Sequence, residues 1–187
     1  MDSLFHFVLP IIAALAARLK IKHPIRTIFA ASSLTVLIDL DHFIGSDRMM
    51  FHNVFVTILI PLILLFLSFH FKLDRYVKGL FLLLLILLSS HVFLDLFNPV
   101  FGEGIGIREG AGIALFYPLS NVMYSIDFNI KISKGYIVSS LGFGILLYLI
   151  IIIVPCFFLD DIIEIAEIKH ERFMKATREF FKGLIKD

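Results

Sequence analysis

Carboxylates and imidazoles recur in this sequence at helical spacing, inside otherwise apolar runs. Asp39-Leu40-Asp41-His42 ends one run, His52-Asn53 begins the next, Ser90-His91 and Asp95 end a third, and His6 lies near the start of the chain. A charged side chain at the centre of a bilayer costs roughly 2.5–3.5 kcal/mol on insertion scales, so such groups need a reason to be there. Carboxylate and imidazole together are the ligands that hold zinc, manganese or iron. His91 and Asp95 are four residues apart and project from one helix face, as do Asp39 and His42, three apart. Asp41 points elsewhere in a regular helix; it serves a second metal or holds a ligating histidine in place. The candidate metal ligands are therefore His6, Asp39, Asp41, His42, His52, His91 and Asp95. They exceed the three protein ligands of a single catalytic zinc, so a centre of two or three divalent metals is expected. The plainer reading of any one of these residues is a helix cap or an interfacial hydrogen bond.

Five apolar stretches would have to position these groups: Leu4–Ala17, Ile25–Ile44, Val54–Phe71, Val77–Phe97 and Tyr136–Leu159. A membrane helix needs about 20 apolar residues, so the expected fold is an all-α integral membrane bundle of about five transmembrane helices, the first of them short. Basic residues follow the first stretch (Arg18, Lys20, Lys22, Arg26) and the third (Lys72, Arg75, Lys78). They also crowd the tail (Lys169, Arg172, Lys175, Arg178, Lys182, Lys186), whereas the intervening segments hold only Arg48, Arg108, Lys131 and Lys134. The positive-inside rule then sets the N-terminus outside and the C-terminus in the cytoplasm. The acidic Met1-Asp2-Ser3 start, with basic residues after the apolar run, is the charge order of a retained helix and not of a signal peptide. With this orientation all the candidate ligands fall at the outer end of the bundle, and His23, His70 and His170 fall at the inner end.

The composition agrees. Hydrophobic residues make up 59% of the 187, charged residues 18%, and the formal net charge is +1. That balance argues against nucleic acid as a partner and for membrane lipid. The lone Cys156 cannot form an internal disulfide. Residues 1–159 read as the transmembrane domain. The segment 160–187 reads as a cytoplasmic amphipathic helix, with Ile162, Ile165, Ala166, Phe173, Ala176, Phe180 and Leu184 at helical spacing. It lies either on the membrane surface or against the inner end of the bundle. Asn98–Gly135 reads as a long loop, flexible or re-entrant, over the site. Its Gly102-Glu103-Gly104-Ile105-Gly106 run lacks the flanking strand and Gly-Lys-Ser of a phosphate cradle.

At these residues the sequence resembles the membrane-bound, metal-dependent hydrolases of the LexA-regulated inner-membrane type. His6 matches that family's N-terminal histidine. Asp39-Leu40-Asp41-His42 matches Pro-Asp-x-Asp-His, with Ile38 in place of the proline. Asp47 through Asn53 aligns with His-Arg-Gly-x-Thr-His-Ser, keeping Arg48 and His52 and placing Asp47 where the first histidine stands. Ser90-His91 through Asp95 matches Ser-His-x-x-x-Asp, and Gly102 to Pro118, ending Leu115-Phe116-Tyr117-Pro118, resembles the closing segment. The family is distantly similar to zinc-dependent phospholipase C. The resemblance implies zinc and hydrolysis of a phosphoester by metal-activated water. Asp39 and Asp41 are then the candidate catalytic carboxylates, one of them free to act as general base. Arg48 and Arg108 are candidates to bind an anionic substrate bidentately. Ligand depth near the outer interface points to an amphiphilic substrate, such as a lipid-linked phosphoester.

Two other readings compete. A cation transporter would use the same ligands, but polar residues should then run through the membrane thickness, and the third and fifth stretches are almost wholly apolar. A non-catalytic membrane protein would hold a structural metal in closed coordination.

Overall fold

The computed structural model describes residues 3–35, 38, 50–97, 104–132 and 135–184. Helix α1 runs Ser3–Ala16 and buries Leu9, Ala13 and Ala14. The two alanines have no exposed surface, which lets neighbouring backbones approach closely. Pro10 has no N–H to give to the carbonyl of His6, one turn earlier. Helix α2, Pro24–Thr35, starts on a proline, whose fixed φ suits the first helical position. Ile28, Ser32 and Thr35 form its buried face.

The third helical segment begins with a π-helical turn, Phe55–Leu59, and continues as α3, Ile60–His70. Pro61 explains the wide turn: it cannot donate to a carbonyl one turn back, so the preceding backbone opens to i→i+5 bonding. The same arrangement recurs later, where the π-helical turn Leu149–Ile153 precedes Pro155.

Helix α4, Arg75–Leu96, is the axis of the molecule, capped by Asp74, whose Oδ1 accepts from the Tyr76 amide at 3.2 Å. It packs against α1, α2 and α3 and meets the strands that follow. Its 22 residues span about 33 Å. Strands β1 (Gly104–Ile113), β2 (Tyr124–Ile132) and β3 (Gly135–Val138) form an antiparallel sheet in the order β1-β2-β3. Gly106 pairs with Asp127 and Arg108 with Ser125, and the register shifts between Glu109 and Ile113. Gly112 sits at that shift with φ +99°, and a Cβ there would lie 2.1 Å from the Tyr124 carbonyl oxygen, so only glycine fits.

Helix α5, Ser140–Tyr148, is capped by Ser139 and tied to β2 by Ser140, whose Oγ accepts from the Phe128 amide at 2.8 Å. After the second π-helical turn and the short α6, Val154–Phe157, the chain bends by 65° into α7, Leu159–Leu184. Lys20–Asp160 (3.7 Å) and Lys78–Glu167 (2.8 Å) fasten α7 across the end of the bundle where α1 ends and α4 begins.

The expected all-α bundle of about five spanning helices is overturned on both counts. Among the described residues, only Arg75–Leu96 is long and apolar enough to cross a membrane; the bent pair Gly142–Phe157 and Leu159–Thr177 adds one more if counted as a single span. The stretch Leu4–Ala17 yields a helix of 14 residues, about 21 Å long. Ile25–Ile44 is helical over Pro24–Thr35, and most of its remainder lies outside the described residues. Tyr136–Leu159 opens as a strand and becomes helical only at Ser140. Apolar composition delimits where a helix is tolerated, but its length is set by caps and prolines, here Pro24, Asn53, Asp74 and Ser139. The expected loop is a sheet for a legible reason: Tyr124-Ser125-Ile126-Asp127-Phe128-Asn129-Ile130-Lys131-Ile132 alternates apolar and polar without a break, the period of a strand.

Candidate metal centre

His6 projects from the first turns of α1, His52 lies just before the third helical segment, and His91 and Asp95 stand one turn apart near the end of α4. Capping fixes His52 through its neighbour. Asn53 Oδ1 accepts from the Val56 amide at 3.0 Å, its Nδ2 donates to the Met50 carbonyl at 2.7 Å, and its carbonyl accepts from Thr57 Oγ1 at 2.7 Å. The β1–β2 connection closes over the same point, where the Val54 amide donates to the Leu115 carbonyl at 2.9 Å. That connection holds the cis Tyr117–Pro118 bond and the Leu115–Pro118 segment. Beneath His91, the Ser90 hydroxyl hydrogen-bonds to the Ile86 carbonyl and to the Tyr148 hydroxyl at 2.9 Å, which joins α4 to α5.

Four side chains from three segments thereby converge. His52 Nε2 lies 3.2 Å from Asp95 Oδ2 and 3.2 Å from His91 Nε2. His91 Nε2 lies 3.5 Å from Asp95 Oδ2, and His6 Nε2 3.5 Å from Asp95 Oδ1. Side-chain exposure is 12% at His6, 4% at Asp95 and 2% or less at the other two. A carboxylate this deeply buried is costly unless strongly partnered.

The donor set fits a divalent metal. Zinc ligands near 2.0–2.1 Å in tetrahedral array lie about 3.3 Å apart, and His52 Nε2, His91 Nε2 and Asp95 Oδ2 are 3.2–3.5 Å from one another. His6, His91 and Asp95 alone can present one ligand atom each within 4.8 Å of one another.

The structure thus brings together His6, His52, His91 and Asp95. Asp39, Asp41, His42 and Arg48 lie outside the described residues, in the segment between the buried Ile38 and Met50. Arg108 is on β1 in register with Ser125. His70 and His170 lie at the other end of α4, their ring centroids 6.2 Å apart. Sequence reasoning missed Ser125 and Asp127, buried on β2, and Tyr148, buried against Ser90. The unbroken alternation along β2 was the signal for the first two.

No curated protein and no solved structure matches the chain. Residues 1–165 match the model of a family described as YdjM inner membrane protein. The match agrees with the inner-membrane part of the resemblance above and says nothing of hydrolysis or of phospholipase C. It runs from α1 into the first turns of α7 and contains every residue of the candidate centre, so the chain belongs to the YdjM inner membrane protein family.

Proposed function

We propose that the protein is a membrane-embedded, metal-dependent hydrolase that cleaves a phosphoester on an amphiphilic, lipid-linked substrate. The observation that carries this reading is the convergence of three imidazole Nε2 atoms on the buried Asp95 carboxylate. Zinc is the ion that such a nitrogen-rich donor group favours. A divalent metal bound there would supply Lewis acidity and activate water for attack on a phosphoester. His52, His91 and Asp95 would hold it, with His6 beside Asp95 Oδ1. Asp39 and Asp41 are the candidates for a general base and for any further metal, and Arg48 and Arg108 the candidates for the anionic part of the substrate. The basic segments after α1 and α3 share one end of the bundle with α7, joined through Lys20–Asp160 and Lys78–Glu167. By the positive-inside rule that end is cytoplasmic and the metal centre faces the outside.

A second reading is a structural metal, because His6 stands beside the other three residues and a fourth protein ligand would close the site. Metal analysis of the detergent-purified chain, run beside a phosphoester panel on wild type and Asp95→Ala, separates the two. Bound metal with hydrolysis that Asp95→Ala abolishes supports the enzyme. Bound metal without turnover of any ester supports the structural site, and absence of metal removes both. Orientation is tested in a Cys156→Ser background by labelling Leu119→Cys, which is 81% exposed beside the site. Reaction from the cytoplasmic side alone would reverse the topology.

A further inference from the structure

At the end of α4 remote from the metal centre, a cavity of about 440 Å³ opens between the α3–α4 turn and α7. Along α4 the rise from Lys78 to His91 places it about 20 Å from the centre. Lys72, Lys78 and Lys175 line it, with His70, His170 and two carboxylates, Glu167 and Glu171. Lys78 is committed to structure: its Nζ donates to Glu167 Oε1 at 2.8 Å and sits 4.9 Å from the centre of the Phe69 ring. Lys72 and Lys175 form no ion pair among the described residues.

Lys72 stands at a costly position. The Leu73 amide donates to the Ser68 carbonyl at 2.9 Å, closing α3 in the manner that normally places glycine where Lys72 is. Its φ is +50°, a left-handed conformation disfavoured for any residue with a Cβ. A lysine held there turns a charge into the cavity that glycine could not supply.

Exposed aromatic rings flank it. Phe66 and Phe71 are 53% and 65% exposed and meet His170 and His70 edge-on at 5.4 and 5.1 Å, and Phe173, next to the lining Met174, is 64% exposed. Ile162, Ile165 and Phe173 share one exposed face of α7, beside the face that docks on the bundle. A water-borne anion has no use for such a rim, whereas a lipid does. The closely spaced metal-ligand group found among the described residues is at the other end of the molecule, so a divalent cation is not the occupant the geometry favours.

We propose that this cavity binds the phosphate headgroup of an anionic phospholipid. Lys72 and Lys175 supply the charge, the two imidazoles supply hydrogen bonds, and the acyl chains lie over Phe71 and Phe173. Basic pockets beside membrane helices bind anionic headgroups in this way.

The test uses the full chain, reconstituted in phosphatidylcholine vesicles with and without phosphatidylglycerol. Lipid retained after extraction in mild detergent is read by native mass spectrometry. Wild type should retain phosphatidylglycerol in preference to phosphatidylcholine. Lys72→Gln and Lys175→Gln should each weaken that preference about fivefold, and the double variant about 25-fold. Lys169→Gln, on α7 but outside the cavity, should leave it unchanged. Glu171→Gln, which removes a negative charge from the lining, should strengthen it, and it keeps the idea testable if the double variant does not fold. Unchanged retention in the lysine variants, equal loss in Lys169→Gln, weaker retention in Glu171→Gln, or displacement of the lipid by inorganic phosphate would each overturn the proposal. The readout involves neither metal nor hydrolysis, so its failure is distinct from failure of the proposed function.

Discussion

The Nε2 atoms of His52 and His91 face each other at 3.2 Å across 39 residues of chain. Both also lie within 3.5 Å of Asp95 Oδ2. A neutral imidazole has one N–H, so two Nε2 atoms aimed at each other cannot both donate. At least one presents a lone pair to the cluster, and lone pairs directed at a shared point are what a cation binds.

Metal should therefore stabilise the fold. A ligand that binds only the native state adds about 2.7 kcal/mol when present at a hundred times its Kd. After chelation, thermal unfolding in detergent should move upward as zinc is returned, and continue upward with the logarithm of free zinc. A midpoint indifferent to zinc would leave the four residues as a hydrogen-bonded cluster and nothing more.

Asp95→Asn keeps the shape of the side chain and removes its charge. Partners that only orient a ligand are worth about 10–100-fold in metal affinity, so loss of the ligand itself should exceed about a hundredfold. Asp127→Asn is the informative comparison. Asp127 is equally buried but sits on β2 and is not in the metal-ligand group found among the described residues, so its variant should lose stability and keep the metal of that group. Equal metal loss in both would mean that the affinity reports general folding.

Asn53→Ala should act on the centre without touching an ion. The substitution removes the acceptor for the Val56 amide and the donor to the Met50 carbonyl. Loss of such a cap costs about 1–2 kcal/mol. Because His52 is its chain neighbour, metal affinity should fall as well, whereas Asn53→Asp keeps the capping oxygen but sets a buried carboxylate against the Met50 carbonyl, so it should not restore the stability. Calorimetry on the apo protein and competition with a chromogenic chelator measure the two effects separately.

How much of this was legible in the sequence divides along physical lines. His91 and Asp95 could be paired from spacing alone, because a helix puts residues four apart on one face. That His6 and His52 join them required only that three apolar runs begin or end at the same level. What could not be read was span. The run Tyr136–Leu159 is apolar but for Ser139 and Ser140, yet Gly135–Val138 is committed to β2 by its register, and a hydropathy average does not distinguish that strand from the helix after it. The sheet itself was readable. Its β2 alternates as strictly as any strand, but the buried positions are the polar ones, Ser125 and Asp127, the reverse of the usual sense. Caps at Asn53 and Ser139 sit where their chemistry predicts, and they set helix lengths that apolar composition alone overestimated.

The two glycines of α5 offer a test of what seats the end of α4. A Cβ on Gly144 would come within 2.6 Å of Phe97 Cγ, whereas one on Gly142 would meet nothing nearer than Ser139 Oγ at 3.5 Å. Both residues are helical, so each alanine gains about 0.8–1.0 kcal/mol of helix propensity. At Gly142 that gain should appear nearly whole. At Gly144 it is opposed by overpacking, which typically costs about 1–3 kcal/mol, so the variant should be neutral to clearly destabilised. Phe97 follows Asp95 by two residues and is itself 1% exposed, so it has little room to yield without moving the last turn of α4. Metal affinity should consequently drop in Gly144→Ala and hold in Gly142→Ala. Adding Phe97→Leu to Gly144→Ala should restore part of both quantities, with a coupling between the two sites that a double-mutant cycle resolves. If the cycle is additive, the packing of Phe97 on α5 is not what keeps Asp95 in place.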